Sequence, residues 1–300
     1  MNPKKILKSV GGVLLLFLIS FAVAYVNEVL ERSQRAERAE GGQKDPWADR
    51  RVLDFEVTMA QAQEAATQNG RDIALKWDAV DNSQTSKFRA TMTIRRGTAV
   101  LTRVMDISRQ KEVNAEKQLI AFLEPPDVRG TAYLTWAYKD PQKEDDMWVF
   151  LPAESLTRRV AGGARKGPFM RSDFSLEDIL KREVDDDLWV LDRTEDLGGA
   201  ACYVLTATPA KASNSSYAKK IIWVRKDIYL PTKVEFYEKN DQLIKTLILG
   251  DFQSVQGIWT PLKQETRTAR QDSATTLELS QVTYNQPLAE DLFQPQNLKR

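Results

Sequence analysis

Phe88-Arg-Ala-Thr-Met-Thr-Ile-Arg95 alternates apolar Phe88, Ala90, Met92 and Ile94 with polar Arg89, Thr91, Thr93 and Arg95. A period of two places successive side chains on opposite faces of a strand, so one set is covered and the other meets water. Arg96-Gly97 follows as a turn, and residues 99–107 read as the returning strand. The same punctuation continues to the end of the chain. Strands are expected at 118–123, 131–138, 147–151, 156–160, 188–194, 202–207, 220–225, 233–237, 244–249, 258–268 and 275–283. The gaps carry Gly, Pro, Asn or Asp, the residues that turns require, and 238–242 reads as a hairpin loop. Two helices interrupt. One covers 52–68, where Leu53, Val57, Ala60 and Glu64 recur every three or four residues. The other covers 175–182 and opens on Ser175-Leu-Glu-Asp178, a capping box with aspartate in place of glutamate. Short strands in series with few helices predict a mainly β, α+β fold built on one strongly curved antiparallel sheet. The helices are expected on its concave side.

Composition removes most chemistry. The 300 residues carry 43 basic and 42 acidic side chains, no histidine and one cysteine. Without histidine there is no Ser-His-Asp or Cys-His arrangement and no imidazole-liganded zinc. Cys202 alone excludes an intramolecular disulfide and a CxxC pair, and its apolar strand suits packing. The near-neutral balance gives no basic face for nucleic acid. Gly162 and Gly167 have phosphate-loop spacing, but Pro168 and Phe169 stand where lysine and a hydroxyl are needed. Glu144-Asp145-Asp146 and Asp185-Asp186-Asp187 lack calcium-loop spacing and read as solvated turns. No catalytic residue, metal site or cofactor is expected, and the chain does not read as an enzyme.

Three segments are expected: 1–26 as a signal peptide or signal anchor, 27–51 as a polar spacer, and 52–300 as the folded domain. Lys4, Lys5 and Lys8 precede an uncharged, mostly apolar run from Val10 to Val26. Ala22 and Ala24 suit a signal peptidase, whereas the unbroken charged continuation at 27–40 suits a retained helix. Both readings place everything after Val26 outside the cytoplasm, soluble after cleavage or anchored by residues 10–26.

Tyr133, Trp136, Tyr138, Trp148 and Phe150 crowd two successive strands. One parity carries Leu134, Trp136 and Tyr138, and the other mixes Tyr133 with Thr131 and Thr135. A sheet apolar on both faces is covered on both sides or has a greasy cavity on one. The threonines are assigned to the outside. Leu134, Trp136, Tyr138, Trp148 and Phe150 then join Phe88, Met92 and Ile94 as a hydrophobic slot. Arg158, Arg159 and Arg165 fall in a basic, glycine-rich stretch and are expected at its rim, facing a head group or an acidic partner.

Four ordered motifs carry a resemblance. They are Phe122-Leu-Glu-Pro-Pro-Asp-Val-Arg-Gly-Thr-Ala-Tyr-Leu-Thr-Trp136, Asp146-Met-Trp-Val-Phe-Leu-Pro152, the pair Arg158-Arg159, and Ser172-Asp-Phe-Ser-Leu-Glu-Asp178. Together they resemble the bacterial outer-membrane lipoprotein-sorting, LolA-like family, over about residues 52–295, with Gly130, Asp173, Ser175 and Asp178 as the motif positions. The resemblance implies an incomplete antiparallel β-barrel whose concave side is covered by helices, with an apolar cavity between. It also implies a periplasmic carrier that shields acyl chains of lipoproteins or lipids on the way to the outer membrane, supplied by an inner-membrane transporter. The alternative is a membrane-anchored lipid sensor, or an accessory subunit of a lipid-exporting pump. The chain is longer than dedicated lipoprotein carriers, so the cargo extends to other lipids. A reporter that works only in cytoplasm, fused after Arg300, is expected to stay silent; activity would overturn the extracytoplasmic reading.

Overall fold

The computed structural model describes residues 48–140, 142–160, 167–211, 215–269 and 272–299, with side chains of the first helix from Val57 onward. Thirteen strands lie among them. They are β1 Thr85–Arg96, β2 Ala99–Lys111, β3 Ala115–Glu124, β4 Ala132–Tyr138, β5 Asp146–Leu151, β6 Leu156–Arg159 and β7 Asp187–Leu197. The rest are β8 Ala200–Pro209, β9 Lys219–Arg225, β10 Pro231–Tyr237, β11 Leu243–Val255, β12 Ile258–Thr268 and β13 Ser273–Tyr284. Each answers to a strand expected from alternation. The largest displaced end is that of β11. Gly250-Asp251 looks like a turn, but the strand absorbs it, Asp251 taking φ 51°, and the reversal falls at Gln256-Gly257 with φ 51° and 84°.

All strands pair antiparallel in one sheet, ordered β6-β5-β4-β3-β2-β1-β13-β12-β11-β10-β9-β8-β7. Two meanders are therefore joined where β1 meets β13, with Met92 opposite Leu277. The sheet curves without closing. Its free edges are β6 and β7, which follow each other in the chain. The connection between them crosses the concave face through a turn at Phe169–Arg171, the short helix α2 at Leu176–Ile179, and a turn at Val184–Asp186. The expected helix of 175–182 is shorter than its sequence suggested, because Leu180 is already extended at φ −83°, ψ 148°.

Register follows the opening octapeptide. Phe88, Ala90, Met92 and Ile94 are buried on the inner face, while Arg89 lies on the other side and pairs with Asp106 at 2.8 Å. Met105, Ile107, Ile120 and Phe122 continue this core, and Phe169, Phe174 and Leu176 of the crossing segment close on it. A second inner cluster gathers Trp189, Leu205, Ile222, Val224, Val234 and Phe236.

The first helix, α1, spans Ala48–Asp78, so it begins inside the expected spacer and runs ten residues past the expected end. The expected contact face is corrected too. Val57 is 55% exposed, and burial begins only at Gly70, Ile73 and Ala74. The helix is seated by its last turns over β7. Trp77 meets Trp189 edge-on at 6.1 Å, and Arg71 bonds Asp185 at 2.8 Å. The approach is so close that a Cβ on Gly70 would lie 2.8 Å from the Leu191 nitrogen and 2.9 Å from backbone atoms of Val190. One free edge is thus covered, and the other is a four-residue strand carrying two arginines, which discourages pairing with a second chain. Among the described residues no helix is long and apolar enough to cross a membrane; residues 10–26 lie outside them.

Gly70→Ala tests the helix seat. In an ordinary helix the change gains about 1 kcal/mol of propensity. Here overpacking against strand backbone is expected to outweigh it, for a net loss of about 1–2 kcal/mol in denaturant unfolding. A stabilised variant would show that the approach is loose.

The cavity between sheet and crossing segment

The crossing segment is irregular chain inside an apolar trough, so its polar groups need partners there. The motif residues supply them. Asp173 accepts hydroxyl hydrogen bonds from Thr268 at 2.8 Å, Ser273 at 2.5 Å and Thr275 at 2.6 Å, all on the inner face of β12 and β13. Asp178 accepts the Ser175 backbone N–H at 2.6 Å and the Tyr217 hydroxyl at 2.8 Å, and forms a buried ion pair with Lys245 of β11. Ser175 Oγ turns to the Tyr217 hydroxyl at 3.1 Å. Glu177 accepts the Ser216 N–H at 2.8 Å and the Ser215 hydroxyl. Burial, and then the neighbouring Asp178 charge, push the Tyr217 phenol well above its ordinary range, so it remains a donor. On the far side, Gln118 of β3 donates to the Ile179 carbonyl at 3.1 Å. Gly130 works elsewhere: at φ 81° it turns the chain into β4, and a Cβ there would come within 3.1 Å of Pro152 Cγ.

Between this segment and the sheet lies a cavity of about 450 Å3. Phe88, Met92, Ile107 and Ile120 line it from β1–β3, and Ile222, Val234, Leu249, Leu277 and Leu279 from β9–β13. Ala74 and Trp77 of α1 and Phe169, Phe174 and Ile179 of the crossing segment complete it. Its margin is charged but matched. Lys181 pairs with Asp78, Lys111 with Asp81 at 3.8 Å, and Arg182 with Asp187 at 2.7 Å. Burial opposes the charge on Lys181 and Arg182, but hydrogen bonds to Asp78 and Asp187 outweigh it and raise both above their ordinary range. Glu183, also lining the cavity, is pushed up by burial.

Phe88 and Met92 line this space as the alternation suggested, and Ile94 is buried in the same cluster without lining it. The second half of the expected slot is reversed. Leu134, Trp136, Trp148 and Phe150 lie on the outer face of the sheet, under Leu288, Leu292, Phe293 and Leu298 of the C-terminal segment. The Trp136 indole donates to the Phe293 carbonyl at 3.1 Å, and its ring meets Trp148 at 5.2 Å. Thr131 and Thr135, assigned to the outside, are each 6% exposed. Tyr133, of their parity, packs edge-on against Phe169 at 5.4 Å. The outer parity is apolar because chain from far downstream covers it. Tyr138 does not reach the cavity either; its hydroxyl donates to Asp146 at 2.8 Å and is pushed up to about 12 by burial and that carboxylate.

Arg158 and Arg159 are exposed on the β6 edge, paired with Glu154 and Asp146, and Arg165 lies outside the described residues. Burial works against the Asp146 charge, yet hydrogen bonds from Tyr138 and Arg159 hold the carboxyl below its usual range. The acidic clusters are therefore bonded rather than merely solvated, since Asp185, Asp186 and Asp187 hold Arg71, the Glu183 N–H and Arg182. Cys202 is buried on the outer face, and burial pushes its thiol up. Trp77, Ile179, Lys220 and Leu279 were missed. A stripe at 70, 73, 74 and 77 marks the helix seat, and Lys220 shares parity with Ile222 and Val224.

The crystal structure of a DUF1329 family protein from Desulfovibrio piger superposes with a TM-score of 0.76 at 38% identity, over 78% of this chain and 99% of that one. The chain belongs to that DUF1329 family. A putative outer membrane lipoprotein-sorting protein domain from Vibrio parahaemolyticus matches at TM-score 0.73 and 29% identity, over 78% of this chain and all of that one. A LolA superfamily protein from Nitrosomonas europaea, at TM-score 0.60 and 22% identity over 75% and 96% of the two chains, shares the fold. The family model that matches residues 114–300 is described as that of an uncharacterized protein. Among curated proteins none matches.

Asp178→Asn leaves Lys245 buried without its counter-charge. A loss of about 3–5 kcal/mol in unfolding free energy is expected. An unchanged midpoint would mean that the crossing segment is held by its apolar contacts alone.

Proposed function

We propose that this protein is a periplasmic carrier that shields acyl chains of lipids or lipoproteins on their way to the outer membrane, taking them from an inner-membrane transporter. The observation that carries the reading is the apolar cavity of about 450 Å3 under the crossing segment. Its volume falls in the range of roughly 300–1,000 Å3 typical of small-molecule sites. Its walls are aliphatic and aromatic, and the charges at its margin are largely paired with one another. Such a space binds alkyl chains through area removed from water, at about 0.8 kcal/mol per methylene. About ten buried methylenes give a gross gain near 8 kcal/mol, reduced by the ordering costs of association. That suits cargo that must be released again. No bond chemistry is required, and the lipoprotein-sorting relative points the same way.

Lipids co-purifying with the native protein identify the cargo by mass spectrometry. In a fluorescent acyl-probe titration, Leu279→Glu on the cavity wall is expected to weaken binding at least about tenfold, because a charge facing apolar cargo costs several kcal/mol. Trp136→Phe on the outer face should leave binding unchanged. Equal binding by the wild type and Leu279→Glu would sink the reading.

A further inference from the structure

Five cationic side chains line the cavity among the described residues. Lys111, Lys181 and Arg182 hold carboxylates, and Arg109 donates to the Gln118 side chain at 2.7 Å. Lys220 makes no hydrogen bond or ion pair with any of the described residues. It stands on the inner face of β9, opposite Ala207 of β8 and Phe236 of β10, both core residues. The Tyr217 ring lies beside it, 5.7 Å from the ammonium to the centroid.

The carboxylates around it are already committed. Asp187 gives both oxygens to Arg182, at 2.7 and 3.1 Å. Asp178 is engaged by Lys245, Tyr217 and Ser175, and Glu177 by Ser215 and Ser216. An ammonium in an apolar wall without a counter-ion is costly. Burial accordingly pushes the Lys220 amine below its ordinary range. Arg103 also has unbonded nitrogens, but it is packed away from the cavity lining.

We propose that Lys220 is the head-group anchor of the cavity, receiving the anionic oxygens of an amphiphile whose alkyl chain lies along the apolar walls. The inference rests on the carrier reading and narrows it. The cargo is an anionic lipid, and the shared chemistry is a carboxylate or phosphodiester at the end of an alkyl chain. An ion pair at this depth gives a partner to the one cation of the lining that, among the described residues, has neither a hydrogen bond nor an ion pair. It also gives the cavity a polarity, with one end fixed and the other adaptable to chain length.

The test compares matched probes on the full-length protein: a fluorescent fatty acid against its methyl ester, and labelled phosphatidylglycerol against labelled diacylglycerol. Wild type is expected to bind the anionic member of at least one pair about tenfold more tightly. The pair that shows the preference tells a free carboxylate from a phosphodiester. Lys220→Met should abolish the preference while leaving ester or diacylglycerol binding intact, which also reports that the variant is folded. Lys220→Arg should retain it. Equal binding of the anionic and neutral members of both pairs by wild type overturns the anchor, whatever the variants do, and leaves the carrier reading standing. If no member of either pair binds wild type, both fail.

Discussion

The two free edges of the sheet, β6 and β7, are neighbours in sequence but stand at opposite ends of the sheet, with eleven strands between them. The chain between them must travel from one end of a curved sheet to the other. The short way runs across the concave face, so the topology itself supplies the cover. A cover of this kind is not a regular layer. It is irregular backbone, and its polar groups have to be bonded inside an apolar trough. Thr268, Ser273 and Thr275 on the inner face of β12 and β13, with Lys245 of β11 and Tyr217, exist in that position to receive Asp173 and Asp178. Protein interiors are normally close-packed. Here bonded anchor points hold the segment off the sheet over part of its path, and the space left beneath it is the cavity.

The same sheet is apolar on its other face, and the two faces are finished differently. Over β3–β5 the outer face is sealed by the C-terminal segment, whose Phe293 fixes Trp136 by its carbonyl and covers Leu134. The inner face is covered by a segment pinned at points, with charged pairs along the margin where α1, β2 and the crossing segment meet. Those pairs tie three elements together without filling the apolar interior.

Most of the architecture was legible in the sequence because it rests on local rules. A period of two with turn residues between runs marks strands wherever one face is wet, and Phe88–Arg95 predicts its own inward set correctly. Legibility fails where a distant segment decides. Nothing near Trp136 says that residues 286–299 will cover it, and Thr131 and Thr135 look like surface residues although both are buried, on the parity whose Tyr133 packs against Phe169 of the crossing segment. The seat of α1 was legible but unread. Gly70, Ile73, Ala74 and Trp77 have helical spacing, and a glycine within a helix signals close approach. The more obvious pattern from Leu53 to Glu64 drew the boundary too early. Lys220 shows a third kind of failure. A lysine beside a second lysine reads as solvated, and only its parity with Ile222 and Val224 gives it away.

The residues that identify the family and the residues that line the cavity are largely different sets. Gly130 shapes a turn, Asp173 anchors the crossing segment on hydroxyls, and Ser175 steadies Tyr217. Their work is to make the trough and hold its cover in place. The apolar part of the lining is ordinary aliphatic and aromatic side chain from β1–β3 and β9–β13, of a kind that can vary in size without disturbing the fold. Family resemblance therefore speaks for the existence of a covered cavity and says much less about its occupant. Asp178 is where the two sets meet, since it fixes the segment to Lys245 and Tyr217 and also borders the cavity. With Asp178 taken by Lys245, Lys220 is left, among the described residues, as the lining cation with no hydrogen-bonding or ionic partner.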